Sequence, residues 1–238
     1  NNTSKVMQLF LILLGAGDEG IPRVQLLEAL YGRDDTQDTK NAFRILVFRL
    51  RRLLEDTIIP KDDYIVVEKG IYRFGGHLDI RIDYKIFLEH ADRALKIENT
   101  ERKLEELKQV CESYSGEFLP FLANEEWVAV ESVHCKDTYF NCLREVCKLL
   151  KEQGRYEDML ELCSRAIDIY PFEEWQLVQI DCLLVMNRYK EALKVYEDAT
   201  TLFFEELGMS PSEKMLARFR AMSGQIHYAM GTLTDIKD

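Results

Sequence analysis

The rhythm of apolar and polar positions changes about a third of the way along the chain. Val6–Gly15 is an apolar run of helical length, and Gly17–Gly20 breaks it. Pro22 follows where a helix accepts a proline, in its first turn. Val24, Leu27 and Leu30 then recur at three-residue spacing until Gly32 stops the second helix. In "KNAFRILVFRLRRLL", residues 40–54, Phe43, Leu46, Val47, Leu50 and Leu54 fall at i, i+3, i+4, i+7 and i+11. That spacing predicts one continuous core stripe on a third helix. Asp34, Asp35 and Asp38 lie at its start, where acidic side chains suit the positive end of a helix. "YIVVEKGIYRFGG" (64–76) places two β-rich runs around Glu68-Lys69-Gly70, a hairpin signal. From Asp79 and Asp83 onward the pattern is helical throughout.

The helical part repeats itself. Arg155-Tyr156 and Arg188-Tyr189 stand 33 residues apart, and the same offset relates Leu160 to Leu193 and Ala166 to Ala199. This is close to the ~34-residue period of tetratricopeptide repeats. Gly154 and Asn187, both tolerant of left-handed backbone, occupy equivalent turns, and Pro171 closes the first repeat after Tyr170. Such helix pairs bury their faces only by stacking on one another, which creates a curved surface suited to a partner or to a scaffolding role.

Charge divides the chain at the same place. The net charge is −11; residues 1–80 hold 11 basic and 12 acidic side chains, so nearly all of the excess acid lies in residues 81–238. The 40–54 stretch carries five basic residues and no acidic one. Opposite its core stripe stand Asn41, Ile45, Phe48 and Arg52, with Arg44 and Arg49 on the shoulders. A solvated helix face usually pairs its arginines with carboxylates at i, i+4 and does not carry Ile and Phe. A mixed Asn, Arg and apolar face suits the major groove, where amides and guanidiniums read base edges and apolar groups meet the thymine methyl. Packing of this helix on another domain explains the same face equally well on residue physics alone.

Other chemistry is weakly represented. Cys111, Cys135, Cys142, Cys147, Cys163 and Cys182 form no C-x-x-C pair and fall in helical patterns, as buried reduced thiols do. His134, Cys135 and Cys142 do not have the spacing of a zinc site, and neither a metal nor a cofactor is expected. There is no phosphate-binding glycine loop, no H-E-x-x-H and no G-x-S-x-G, and His77, His90, His134 and His227 are scattered. The expectation is a protein without enzymatic activity. No apolar run approaches the ~18 residues of a membrane span. Lys5, Val6–Leu14 and Gly15-Ala16-Gly17 imitate a signal peptide, but Gln8 interrupts the apolar run and no A-x-A pattern follows, so a cytoplasmic location is expected. The chain opens on Asn1 rather than Met, which suits a piece of a longer protein.

Three helices and a hairpin describe a winged helix-turn-helix. "RLRRLLE" (49–55) and "GIYRF" (70–74) resemble the third helix and wing of the response-regulator type of that fold. "YSGEFLP" (114–120), "EEWV" (125–128) and "NRYKEALKVYEDATTLFFEELGMSPSEKM" (187–215) resemble the bacterial transcriptional activator domain of the Streptomyces antibiotic regulatory protein family. The resemblance covers nearly all of residues 5–220, and "EELGMSP" is its most specific element. It implies a mainly α protein, with a winged helix-turn-helix over 1–78 and a tetratricopeptide-like activator domain over 79–238. It further implies activation by a homodimer on promoter direct repeats of double-stranded DNA, with contact to RNA polymerase. Lys40, Asn41, Arg44, Ile45, Phe48, Arg49 and Arg52 would meet DNA from the helix, and Lys69 and Arg73 from the wing. Two features depart from the family pattern. The strands that normally precede the first helix would lie upstream of residue 1, and the wing carries Glu68 near its tip. The rival reading is a helical-repeat interaction scaffold that does not bind DNA.

Overall fold

Leu9 and Leu13, one helical turn apart, are fully buried together with Val6 and Ile12, and they make helix α1 (Asn2–Ala16) the spine of the first of two units. The computed structural model describes residues 2–32, 37–57, 60, 62–75, 79–173 and 175–234, of which 2–4, 37 and 225–234 are described by their backbone alone. The first unit comprises Asn1–Ile86 and Phe118–Val133; the second comprises Phe87–Glu117 and His134–Asp238.

In the first unit a short 3-10 turn (Gly17–Glu19) leads into β1 (Ile21–Pro22), α2 (Arg23–Tyr31), α3 (Gln37–Glu55), β2 (Ile65–Glu68) and β3 (Ile71–Phe74). The hairpin β2–β3 turns at Lys69 and Gly70, both left-handed (φ 50° and 80°), the combination that a two-residue type I′ loop requires. Glu68 is therefore the last strand residue rather than the tip. The sheet also has a third strand: β1 pairs antiparallel with β3, Ile21 opposite Tyr72 and Pro22 opposite Ile71. Gly20 permits this. A side chain there would bring a Cβ to 2.8 Å from both the Ile71 Cγ2 and the Tyr72 carbonyl oxygen, and its φ of 70° already favours glycine. Pro22 stands just outside α2, on an extended backbone (φ −61°, ψ 143°), and not in its first turn. Val24 is 73% exposed, and the stripe that α2 buries is Leu26, Leu27 and Leu30. Asp38 lies in the first turn of α3, whereas Asp34 and Asp35 fall outside the described residues.

Residues 118–133 complete this unit. Glu125 Oε1 accepts a hydrogen bond of 2.7 Å from Gln8 Nε2, a buried amide on α1. Trp127 packs on the same core as Phe43, Leu46, Leu50 and Ile65.

The second unit holds α4 from Phe87 (the helix spans Asp83–Leu95), α5 (Thr100–Ser113), α6 from His134 (the helix spans Glu126–Glu152), α7 (Tyr156–Ile169), α8 (Gln176–Val185), α9 (Tyr189–Leu207) and α10 (Glu213–Thr234). Its repeat is geometric as well as textual. Gly154 and Asn187 have φ of 69° and 60°, and the residues after them, Arg155 and Arg188, enter α7 and α9 with matching backbones (φ −88°, ψ 64° and φ −90°, ψ 58°). Arg188 ties the two repeats by an ion pair of 2.8 Å to Glu157. "YSGEFLP" begins on Tyr114, a core residue stacked on Tyr139 (centroids 4.3 Å apart); the Tyr114 hydroxyl shares a hydrogen bond of 2.7 Å with that of Tyr170. "EELGMSP" is a helix stop and restart. Gly208 is left-handed (φ 63°) and its N–H returns to Phe204, Met209 N–H returns to Phe203, and Ser212 Oγ accepts from Met215 N–H at the start of α10.

All six cysteines are free thiols in the interior of this second unit. Burial pushes Cys142 and Cys182 up to about 11 and lifts Cys111 further, while a hydrogen bond to Cys147 and burial together raise Cys163. Thiolate is the reactive form, so these groups should be inert in the native state. A thiol reagent at pH 8 is expected to titrate none of the six before denaturation and all six after it. Even one fast-reacting native thiol would contradict this packing.

Candidate nucleic-acid interface

On α3, alternate sides of one helix do opposite things. Phe43, Leu46, Val47, Leu50 and Leu54 are buried, as their spacing predicts. Asn41, Arg44, Ile45, Phe48, Arg49 and Arg52 are all exposed, so the helix brings these six candidate residues together on one surface. Ile45 is 53% and Phe48 60% exposed, in contrast with the burial such side chains normally reach. Arg44, Arg49 and Arg52 make no ion pair among the described residues. Lys40 is half-buried and engaged with another group.

The fifth basic residue of the stretch has another role. Arg51 Nη2 donates to the Ile65 carbonyl at 2.8 Å, and its Nε lies 3.8 Å from Asp63, so Arg51 anchors β2 to the helix. Phe43 and Tyr72 meet edge to face at 5.3 Å, which fixes β3 as well. Arg23 N–H donates to the Gly70 carbonyl at 2.9 Å and holds the hairpin tip at the start of α2. These contacts tie the wing to α2 and α3. Lys69 is exposed at its tip, while Arg73 is half-buried and spends its charge on Glu68, 3.3 Å away.

Two exposed apolar residues were not singled out by the sequence pattern. Leu53 (53% exposed) and Met7 (49%) face an apolar groove of about 610 Å³ between α1 and the C-terminal half of α3, which Phe48 also lines. Only the departure of Leu53 from the core stripe signals this.

Three helices with a three-stranded wing sheet define a winged helix-turn-helix, and the second unit is a tetratricopeptide-like helical array. Residues 82–222 match the bacterial transcriptional activator domain, and the chain belongs to that family of transcriptional regulators. The fold is similar to that of Mycobacterium tuberculosis EmbR, solved in complex with a low-affinity phosphopeptide, with a TM-score of 0.61 and 17% identity. The match covers 98% of this chain and 65% of that one, so this chain spans about two thirds of its length. No curated protein compared with the chain matches it. Among the described residues, no helix is long and apolar enough to cross a membrane.

Proposed function

We propose that this regulator binds double-stranded DNA through the exposed face of α3 laid in the major groove. Asn41, Arg44, Arg49 and Arg52 would read base edges or grip phosphates, and Ile45 and Phe48 would meet thymine methyl groups. Lys40 and Lys69 would sit near phosphates, and Arg73 would join them only by leaving Glu68. Residues 1–78 carry the DNA-binding function in this reading, and residues 79–238 the activating one. The acidic array stays off the duplex, because carboxylates are repelled by phosphates. It contacts RNA polymerase from direct repeats bound by two copies in the cytoplasm, without a cofactor or catalytic step.

The observation that carries the reading is a helix face with exposed Ile45 and Phe48 among three arginines that make no ion pair among the described residues. The test is DNA retention against salt. Binding through phosphates weakens linearly in log[salt], with a slope of about −0.9 per phosphate contacted. A scaffold that binds only protein shows no DNA retention at any salt concentration, and that outcome rejects the proposal.

A further inference from the structure

A second cavity, of about 540 Å³, lies wholly within the first unit, between α1 and the chain at 80–84 and 118–131. Pockets that enclose a small organic molecule run to roughly 300–1,000 Å³. Leu11 and Leu14 of α1 form one wall. The other is aromatic: Tyr84 and Phe118 meet at a tilt with ring centroids 4.7 Å apart, and Trp127 lines it with them. The Trp127 indole nitrogen is buried, so this residue offers the cavity its ring carbons and no donor. Leu119, also in the lining, holds a left-handed backbone (φ 43°) immediately before Pro120. A proline pushes the residue before it toward extended backbone, and strain of this kind gathers at ligand sites.

Charge selects the ligand. Glu131 is half-buried in the lining and makes no ion pair among the described residues. Asp83 is exposed there and accepts a hydrogen bond of 2.8 Å from the Tyr84 N–H. Arg81 is the only cation among the described lining residues; it is exposed, and Asp79 stands 3.6 Å from it. A carboxylate partly withdrawn from water gains from a positive partner, and the faces of aromatic rings attract cations. An anion would meet two carboxylates and a guanidinium that Asp79 already offsets. A neutral ligand would leave Glu131 further desolvated and still unpaired. We propose that this cavity binds an amphipathic organic cation, such as a quaternary ammonium or phosphonium ion. Its charge lies beside Glu131, and its apolar groups pack on Tyr84, Phe118 and Trp127. The site shares no residue with the proposed DNA face and does not depend on that reading.

The test is equilibrium dialysis of the whole chain against tetraphenylphosphonium at about 0.15 M salt, where general attraction to an acidic protein is screened. One ion should bind per chain, with a Kd of roughly 1–100 µM. Tetraphenylborate has the same shape and the opposite charge, and should bind at least about tenfold more weakly. Glu131→Gln should weaken the cation about five- to tenfold and narrow the gap between the two ions. Phe118→Leu keeps apolar volume but removes the ring face, and should weaken the cation severalfold. Gly15→Met fills the cavity. A Cβ at Gly15 would stand 3.4 Å from the Tyr84 hydroxyl, in ordinary contact, and methionine suits a helix better than glycine. Binding should therefore vanish in a chain that keeps its helical circular dichroism. If one variant fails to fold, the other two carry the test. No saturable uptake of the cation below about 1 mM overturns the proposal. So do equal affinities for the two ions, or cation binding that Glu131→Gln or Gly15→Met leaves unchanged.

Discussion

Replacing Arg44, Arg49 and Arg52 together with alanine is expected to abolish specific DNA binding while leaving the melting temperature nearly unchanged. Each bidentate contact to a base is worth about 1–3 kcal/mol, so one substitution lowers affinity by roughly fivefold to over a hundredfold, and the three together, about 3–9 kcal/mol, are comparable to the roughly 4–10 kcal/mol that separates specific from non-specific binding. Stability should hold because these side chains are exposed and make no ion pair among the described residues, and surface changes of this kind fall within about 0.5 kcal/mol. The singles also sort the contacts. An arginine on a guanine relaxes specificity at one base pair when removed; an arginine on a phosphate weakens all sequences alike and reduces the salt slope by about one. Arg51→Ala gives the opposite pattern. Its hydrogen bond to Ile65 and its approach to Asp63 serve the wing, so its loss shows first as lower stability, by about 0.5–1.5 kcal/mol. Unchanged binding by the triple variant would show that this face is not the interface.

What could be read from the sequence followed from periodicity. The stripe from Phe43 to Leu54 is buried as its spacing requires, and the opposite face is exposed. The 33-residue offset reappears as matched left-handed turns at Gly154 and Asn187. What escaped was long-range. β1 is two residues long, too short for any alternation, and exists because Gly20 lets the chain close on Ile71 and Tyr72. Val24, Leu27 and Leu30 fit a helical stripe on paper, but α2 buries Leu26 beside Leu27 and Leu30 and leaves Val24 exposed. No local pattern announces that Trp127 packs on the winged-helix core or that Glu125 accepts a hydrogen bond from Gln8, 117 positions away in the chain. A cut near residue 80 would strip them away, so the first unit cannot be isolated there without loss. Among the candidate site residues, the helix face was legible from spacing and charge. The restraint of Arg73 by Glu68 depends on cross-strand pairing, which spacing alone does not show.

Phe43→Ala and Phe48→Ala should separate packing from recognition, with one residue type five positions apart on one helix. Phe43 is fully buried, its ring edge-on to Tyr72 and its face 5.9 Å from the Arg23 guanidinium. Truncating it leaves a cavity and removes both contacts, a loss of about 3–5 kcal/mol against the roughly 5–15 kcal/mol that holds a domain folded. Phe48 exposes most of its ring, so its truncation should move stability by no more than about 0.5 kcal/mol. Urea unfolding followed by the fluorescence of Trp127, which packs on this core, measures both, with Trp175→Phe silencing the other tryptophan. DNA affinity should fall in both variants for different reasons. In Phe43→Ala the bound fraction follows the folded fraction and recovers on cooling toward the temperature of greatest stability. In Phe48→Ala the loss persists in fully folded protein and is largest on sequences that place a thymine methyl against the ring. Equal destabilisation by the two substitutions would mean that Phe48 is a packing residue, and the exposed face of α3 would lose its apolar contribution to DNA recognition.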